Sequence, residues 1–334
     1  MSHEYVIILA MRKTFAFVIL AFASFASFAA GDAGGDGRLY LADPFVLLDG
    51  GVYYAYGTGA ADGIPVAVST NLVDWTIGVG VAKKGLALHK DDVWGERWFW
   101  APEVYRRADG RYVMAYSAQE RVCVAVADSP LGPFRQAEKR TLFEDDRFTI
   151  DNSFFVDDDG RTWMLYVAGG APGYGSGPRI VEMEKDMTAV KKGAEPVFLF
   201  DARGEWEKRG FGRVNEGPFL LKHDGLYYIT WSANDYRSPL YAVGCATSKS
   251  VIGPYAKNAS NPILLRKAGL SGTGHHSFFR DREGRLRIVF HAHHSEGRAD
   301  PRYMCIASAD FAEVDGEKTI AVADDVVICR ARRR

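Results

Sequence analysis

Four cysteines in 334 residues, with no CxxC pair and no cysteine–histidine spacing, leave no zinc ribbon or finger to build on. Cys123, Cys245 and Cys305 sit in similar apolar runs (CVAVADS, CATSKS, CIASAD). With Cys329 they read as small buried strand residues. Charge of either sign is not in excess. The 41 Lys and Arg against 42 Asp and Glu give a net charge of −1, so no basic field addresses nucleic acid or an anionic membrane. Past residue 30 nothing resembles a membrane span, and no Pro/Ser-rich linker divides the chain, which reads as one domain over residues 38–332. What the chain has in quantity is aromatic side chains, 13% of residues, among 35 glycines and many short apolar runs. That composition favours an all-β fold.

The long apolar run is N-terminal. From Met11, MRKTFAFVILAFASFASFAAGDAGG has a basic pair, an apolar stretch and small residues around Ser27-Phe28-Ala29. We read residues 1–30 as a secretory signal starting at Met11, and GDAGGDG (31–37) as a flexible lead-in. An uncleaved anchor is the alternative, but the run is short for a spanning helix. The expected location is the periplasm or outside the cell, with no membrane span after signal removal.

One hairpin pattern recurs five times: an acidic residue, then Gly, then an aromatic seven residues after the acid. DGGVYYAY, DGRYVMAY, DGRTWMLY, DGLYYITW and EGRLRIVF place the glycines at 50, 110, 160, 225 and 284. Asp-Gly between apolar runs is a strong hairpin signal. A further short strand follows each hairpin, and TIAVADDVVICR supplies a last one. Five units of roughly four antiparallel strands predict a five-bladed β-propeller. A β-helix would need shorter repeats, and a β-sandwich would not repeat one hairpin register five times.

Counting nine residues back from the glycine gives Ala101, Asp151, Glu216 and His275 in blades two to five; in blade one Asp43 lies seven back. These positions begin the innermost strands and should converge on one mouth of the channel. Three carboxylates and a histidine sharing one mouth would repel and resist ionisation. Chemistry is a reason to tolerate that.

The motifs around these residues, ADPF (42–45), WAPEV (100–104), IDNSFF (150–155), NEGPF (215–219) and GHHSFF (274–279), resemble those of glycoside hydrolase family 43. The resemblance implies a five-bladed propeller and inverting removal of arabinofuranosyl, xylosyl or related residues from plant polysaccharides. It assigns Asp43 as general base, Glu216 as general acid and Asp151 as the residue that raises the acid's pKa. It implies a calcium ion near His275 on the channel axis, often held through water. The residue chemistry agrees, since inversion needs one protonated carboxyl and one carboxylate activating water, and a free Glu is too acidic to hold its proton near neutral pH.

Aromatic faces stack on sugars, so Phe45, Trp98 and Trp100 are candidate platforms, while Phe99 reads as packing. Arg213 and Arg302 are candidates to bind sugar hydroxyls or orient carboxylates. His291, His293 and His294 in HAHHSEG have a spacing that zinc tolerates, with His291 and His293 expected on one strand face. Glu205 and Glu207 read as loop charges, and Glu103 as facing the channel without a role. The alternatives are a propeller that only binds a glycan or protein, and a fructan-active retaining enzyme. Three carboxylates in one register argue against the first. The signatures of the second are not seen.

Overall fold

The computed structural model describes residues 35–144, 148–169, 176–210 and 212–333. The signal read over 1–30 and the start of the lead-in lie outside them. Antiparallel sheets follow one another around a channel, and no α-helix occurs among the described residues. Blade one is built from Ala42–Asp49, Val52–Thr58, Val66–Ser69 and Asp74–Ile77. Blade two has Trp100–Arg106, Tyr112–Ala118 and Arg121–Ala127, one strand fewer than expected among the described residues. Blade three has Thr149–Val156, Thr162–Gly169, Ser176–Met183 and Val197–Phe198. Blade four has Asn215–His223, Leu226–Ala233, Ala242–Ser248 and Ala256–Lys257, and blade five Gly274–Arg280, Leu286–Ala292, Tyr303–Val314 and Glu317–Val322. The arrangement is the predicted five-bladed propeller.

The second strands show why the short apolar runs are so rich. Each is covered on both faces by neighbouring blades, and in Tyr112–Ala118 every residue is buried. Tyr56, Met114, Tyr116 and Cys123 pack between blades one and two, and Tyr228, Phe278 and Phe290 between four and five. All four cysteines are buried and free; Cys123, Cys245 and Cys305 lie in strands as expected, whereas Cys329 sits between Val327–Ile328 and Arg330–Arg333.

The hairpins differ in a way the repeated Asp-Gly hides. In blades one and four, Asp49 pairs with Val52 and His223 with Leu226, leaving two-residue turns. Their central residues, Gly50-Gly51 and Asp224-Gly225, all have positive φ, as a type I′ turn requires. In the other three blades Arg106 pairs with Tyr112, Val156 with Thr162 and Arg280 with Leu286 across five-residue loops.

The C-terminal segment does not form one strand. Glu317–Val322 and Val327–Ile328 both pair with the long third strand of blade five. Arg330–Arg333 then leaves and runs parallel along Asp74–Ile77 of blade one. The seam is drawn shut by a triangle of backbone bonds. Leu39 N–H donates to the Cys329 carbonyl (2.8 Å), Cys329 N–H to Met304 (3.1 Å) and Met304 N–H to Leu39 (3.0 Å). All three side chains are buried with Trp75. Ending the chain at Ile328 removes the two bonds made by Cys329 and those of the parallel strand, a loss of at least about 3 kcal/mol at roughly 1 kcal/mol per net hydrogen bond. The expected fall in melting temperature is roughly 6–12 °C. An unchanged melting curve would show that the seam does not hold the ring.

Candidate active site

Each innermost strand starts with the same distortion. Asp43, Ala101, Asp151, Gly217 and His275 have φ of 49°, 42°, 55°, 54° and 43°, each inside a break of register with the second strand. A left-handed conformation costs a non-glycine residue about 1–2 kcal/mol. Its N–H points away from its own sheet and is taken by a neighbour. Ala101 N–H donates to Thr58 Oγ1 (3.1 Å), Asp151 N–H to Ser117 Oγ (3.1 Å), Gly217 N–H to Asp151 Oδ2 (3.1 Å) and His275 N–H to Ser232 Oγ (2.8 Å). Asp43 N–H closes the circle on His291 Nδ1 (3.2 Å).

This ring corrects one expectation. Glu216 does not share the register of Asp43, Asp151 and His275. Gly217 holds that position, and Glu216 stands one residue ahead, equivalent to Ala42, Trp100, Ile150 and Gly274. The two-residue turn of blade four shifts the count from its glycine by one. The carboxylate still reaches the same place: one ligand atom each of Asp151, Glu216 and His275 lie within 4.8 Å of one another. Asp151 and His275 also line a narrow channel of about 20 Å³ to which every blade contributes one short run, including Phe45, Glu103, Asn152 and His276.

Asp43 is clamped. Its Oδ1 accepts from Arg302 Nη1 (2.7 Å), Oδ2 accepts from Thr58 Oγ1 (2.6 Å), and His275 and His291 lie 3.4 and 3.2 Å from Oδ1. Burial pulls its carboxyl upward, but the Arg302 guanidinium and the two imidazoles more than offset this and hold it well below the ordinary carboxylate range. Arg302 also bonds Asp300 (3.1 Å) and lies over the Tyr236 ring (4.4 Å). Burial, helped by Arg302, drops His291 to about 3, so it stays neutral.

Glu216 is the opposite case. Burial raises its carboxyl well above the usual value, and the Asp151 charge adds to this. The Tyr241 hydroxyl, donating to Oε1 at 2.7 Å, works the other way. Asp151 is raised too, by burial and Asp43, but His275 and the Gly217 N–H favour its charged form. Of this close pair, Asp151 therefore ionises first and Glu216 keeps the proton.

The remaining candidates separate. Trp98 and Trp100, both half-buried beside Ala101, stack at 5.8 Å, with Arg97 over Trp98 (4.5 Å). Phe99 is core. Phe45 lines the channel together with Asp43. Arg213 is exposed, and its charge is felt at Glu205. Glu103 reaches the channel, where burial lifts its carboxyl to about 8 while the Phe154 N–H bonds it (3.0 Å).

Two readings fail. The three histidines of HAHHSEG diverge: His291 faces Asp43, His293 bonds the Tyr236 carbonyl (2.6 Å), and His294 lies by Arg38 and Tyr40. Glu207 is no loop charge; it is fully buried with Lys257 (2.6 Å) and Trp231 (3.0 Å). Tyr241, Thr58 and Ser232 were invisible as site residues. Each acts on a partner from 25 to 43 residues away, and nothing in the sequence marks them.

Calcium takes six to eight oxygen ligands. The cluster offers two carboxylates and an imidazole, and one of those carboxylates is the group that holds a proton. A cation seated on all three would force Glu216 to ionise. The donor set does not suit calcium bound directly, and no chemical step below uses a metal.

Residues 38–315 match the model for glycosyl hydrolases family 43. A β-D-galactofuranosidase of Aspergillus niger is 27% identical over 297 residues, 82% of this chain and 80% of its own length. An extracellular endo-α-(1→5)-L-arabinanase of Thermotoga petrophila is 24% identical, over 75% of this chain and 64% of its own. The solved structure of an endo-1,4-β-xylanase from Bacteroides thetaiotaomicron superposes with a TM-score of 0.80 at 35% identity, covering 89% of this chain and 98% of that one. A thermostable family-43 glycoside hydrolase follows at 0.74 and 35%, covering 84% and 92%. With its five blades, the carboxylates at their mouth and a match over most of its length, the chain belongs to glycosyl hydrolases family 43.

Proposed function

We propose that the protein is an exported, exo-acting, inverting glycoside hydrolase that releases arabinofuranosyl residues from plant-type polysaccharides. Xylosyl is the second choice of substrate and galactofuranosyl the third. The observation that carries this reading is the split between two carboxyls at one mouth: Asp43 held ionised, Glu216 held protonated. Such a pair is what single-displacement hydrolysis needs. Asp43 takes a proton from the attacking water. Glu216 gives its proton to the departing oxygen. Asp151 keeps the charge that maintains the proton on Glu216. Arg302 fixes the orientation and ionisation of Asp43, and Trp98 and Trp100 offer a stacking wall for a sugar ring. Export rests on the basic pair, apolar run and small residues over 11–30, and the near-zero net charge suits a neutral glycan. The relatives' names, a galactofuranosidase, an arabinanase and a xylanase, support a pentose or furanose substrate without choosing one.

A panel of aryl arabinofuranosides, xylosides and galactofuranosides, followed by NMR of the first-formed anomer, tests this. The arabinofuranoside should be cleaved fastest, with inverted configuration; retained configuration would end the inverting assignment.

Glu216→Gln keeps the shape but cannot donate a proton. It should cost about 10²–10⁴-fold in turnover on a natural oligosaccharide, and far less on a nitrophenyl glycoside, whose leaving group needs little help. Asp43→Asn should cost at least about 10²-fold on both. Equal losses on the two substrates for Glu216→Gln would remove it from the acid role.

The pH profile reports the third carboxyl. Activity requires protonated Glu216, so it is lost as pH rises through that raised pKa. Asp151→Asn removes a charge that holds the pKa up, so the alkaline limb should move to lower pH. An unmoved limb, or one displaced upward, would contradict the role given to Asp151.

A further inference from the structure

Tyr241 begins the third strand region of blade four, yet it belongs to the junction with blade five. Its ring lies over Gly274, at the start of blade five's innermost strand. A Cβ on Gly274 would stand 2.5 Å from the ring carbons, so the ring fills space that a side chain there would need. The ring stacks on His291, the cross-strand partner of Gly274, with centroids 5.6 Å apart and planes within 7°. Tyr241 is fully buried, and its hydroxyl turns back to Glu216 Oε1 at 2.7 Å. His291 in turn touches Asp43.

We propose that Tyr241 is a positioning residue for the acid: its ring is anchored on His291 beside the base, and its O–H holds the Glu216 carboxyl in the orientation from which it protonates the leaving oxygen. The inference rests on Glu216 being the acid. The stack and the hydrogen bond together tie the acid to the side chain that contacts the base, so both carboxyls keep a fixed relation across a blade junction. A donor anchored on one face only would swing with the strand it comes from. Here the absent Cβ at Gly274 and the parallel imidazole leave the ring a single slot. The hydroxyl's own burial keeps it protonated, so it donates throughout the working range. Its donation favours the ionised acid, opposing Asp151, which keeps the proton transferable rather than locked on.

The test is Tyr241→Phe, which preserves the ring, its stack and the packing on Gly274 while deleting only the hydroxyl. Kinetics on a natural oligosaccharide and a nitrophenyl glycoside should be run beside Glu216→Gln. We expect kcat to fall roughly tenfold on the oligosaccharide and less than about twofold on the activated substrate, with KM nearly unchanged, as for loss of a hydrogen bond made to a reacting carboxyl. The alkaline limb should shift upward, because a group favouring ionisation of the acid is gone. If Tyr241→Phe slows both substrates equally, or leaves both rates untouched, while Glu216→Gln keeps its dependence on leaving group, the positioning role is overturned and the acid assignment stands. If Glu216→Gln itself shows no such dependence, the acid assignment fails, and the role of Tyr241 with it.

Discussion

The mouth of this propeller hangs on one repeated interaction: the backbone N–H of a left-handed residue, turned out of its own sheet and accepted by a side chain of the preceding blade. A buried N–H without a partner is costly, so each strand start is fixed by its neighbour rather than by its own hairpin. Thr58, Ser117, Asp151, Ser232 and His291 are the five acceptors. The strain at Asp43, Asp151 and His275 is therefore held by the ring and not locally, which is how backbone strain persists at functional sites. The last link joins blade five to blade one. The seam closed by Leu39, Met304 and Cys329 is also where Arg302 and His291 meet Asp43. The base has its environment only when the ring is shut.

Position around the channel then sorts the three carboxyls. The Arg302 guanidinium, His275 and the neutral His291 gather at Asp43, and among the described residues no ion pair reaches Glu216. Glu216 meets instead an acid, Asp151, and a neutral hydroxyl, with His275 within 4.8 Å. Asp43 and Asp151 are buried and Glu216 is half-buried, and desolvation pushes each the same way. The difference between them comes from partners, and the partners are assigned by which blades adjoin.

Much of this was legible. The five Asp-Gly or Glu-Gly hairpins announce five blades, and the sequence alone points to Asp43, Asp151, Glu216 and His275. Glu216 nonetheless stands one residue ahead of the position counted for it. Asp224-Gly225 spells the same dipeptide as Asp109-Gly110, but the first is a whole turn and the second the middle of a longer loop. A dipeptide reports that the chain reverses, not how many residues the reversal takes, and in a strand one residue is the difference between faces. The acceptors of the ring and Tyr241 were not legible, because their partners are set by blade packing and not by spacing along the chain. Glu207 looked like a surface charge for the same reason: Lys257, its partner, lies 50 residues on.

That misread glutamate shows how far the support of the acid extends. Glu207 is a buried carboxylate that accepts from Lys257, from Trp231 Nε1 and from the Gly204 N–H (2.6 Å). A charge without water needs such a set of partners. They pin the short 3-10 turn Glu205–Lys208 against blade four. Asn234 then uses its whole amide. Its oxygen accepts from the Arg209 and Gly210 N–H groups (2.9 Å each), and its nitrogen donates to the carbonyls of Trp206 (3.0 Å) and Leu240 (2.9 Å). Leu240 immediately precedes Tyr241. One buried amide thus binds the segment that leads to Glu216 to the segment that delivers the hydroxyl bonded to it. The acid and its hydrogen-bond donor are carried by two loops that cannot move independently, so their 2.7 Å contact is a property of the blade as a whole and not of two side chains that happen to meet.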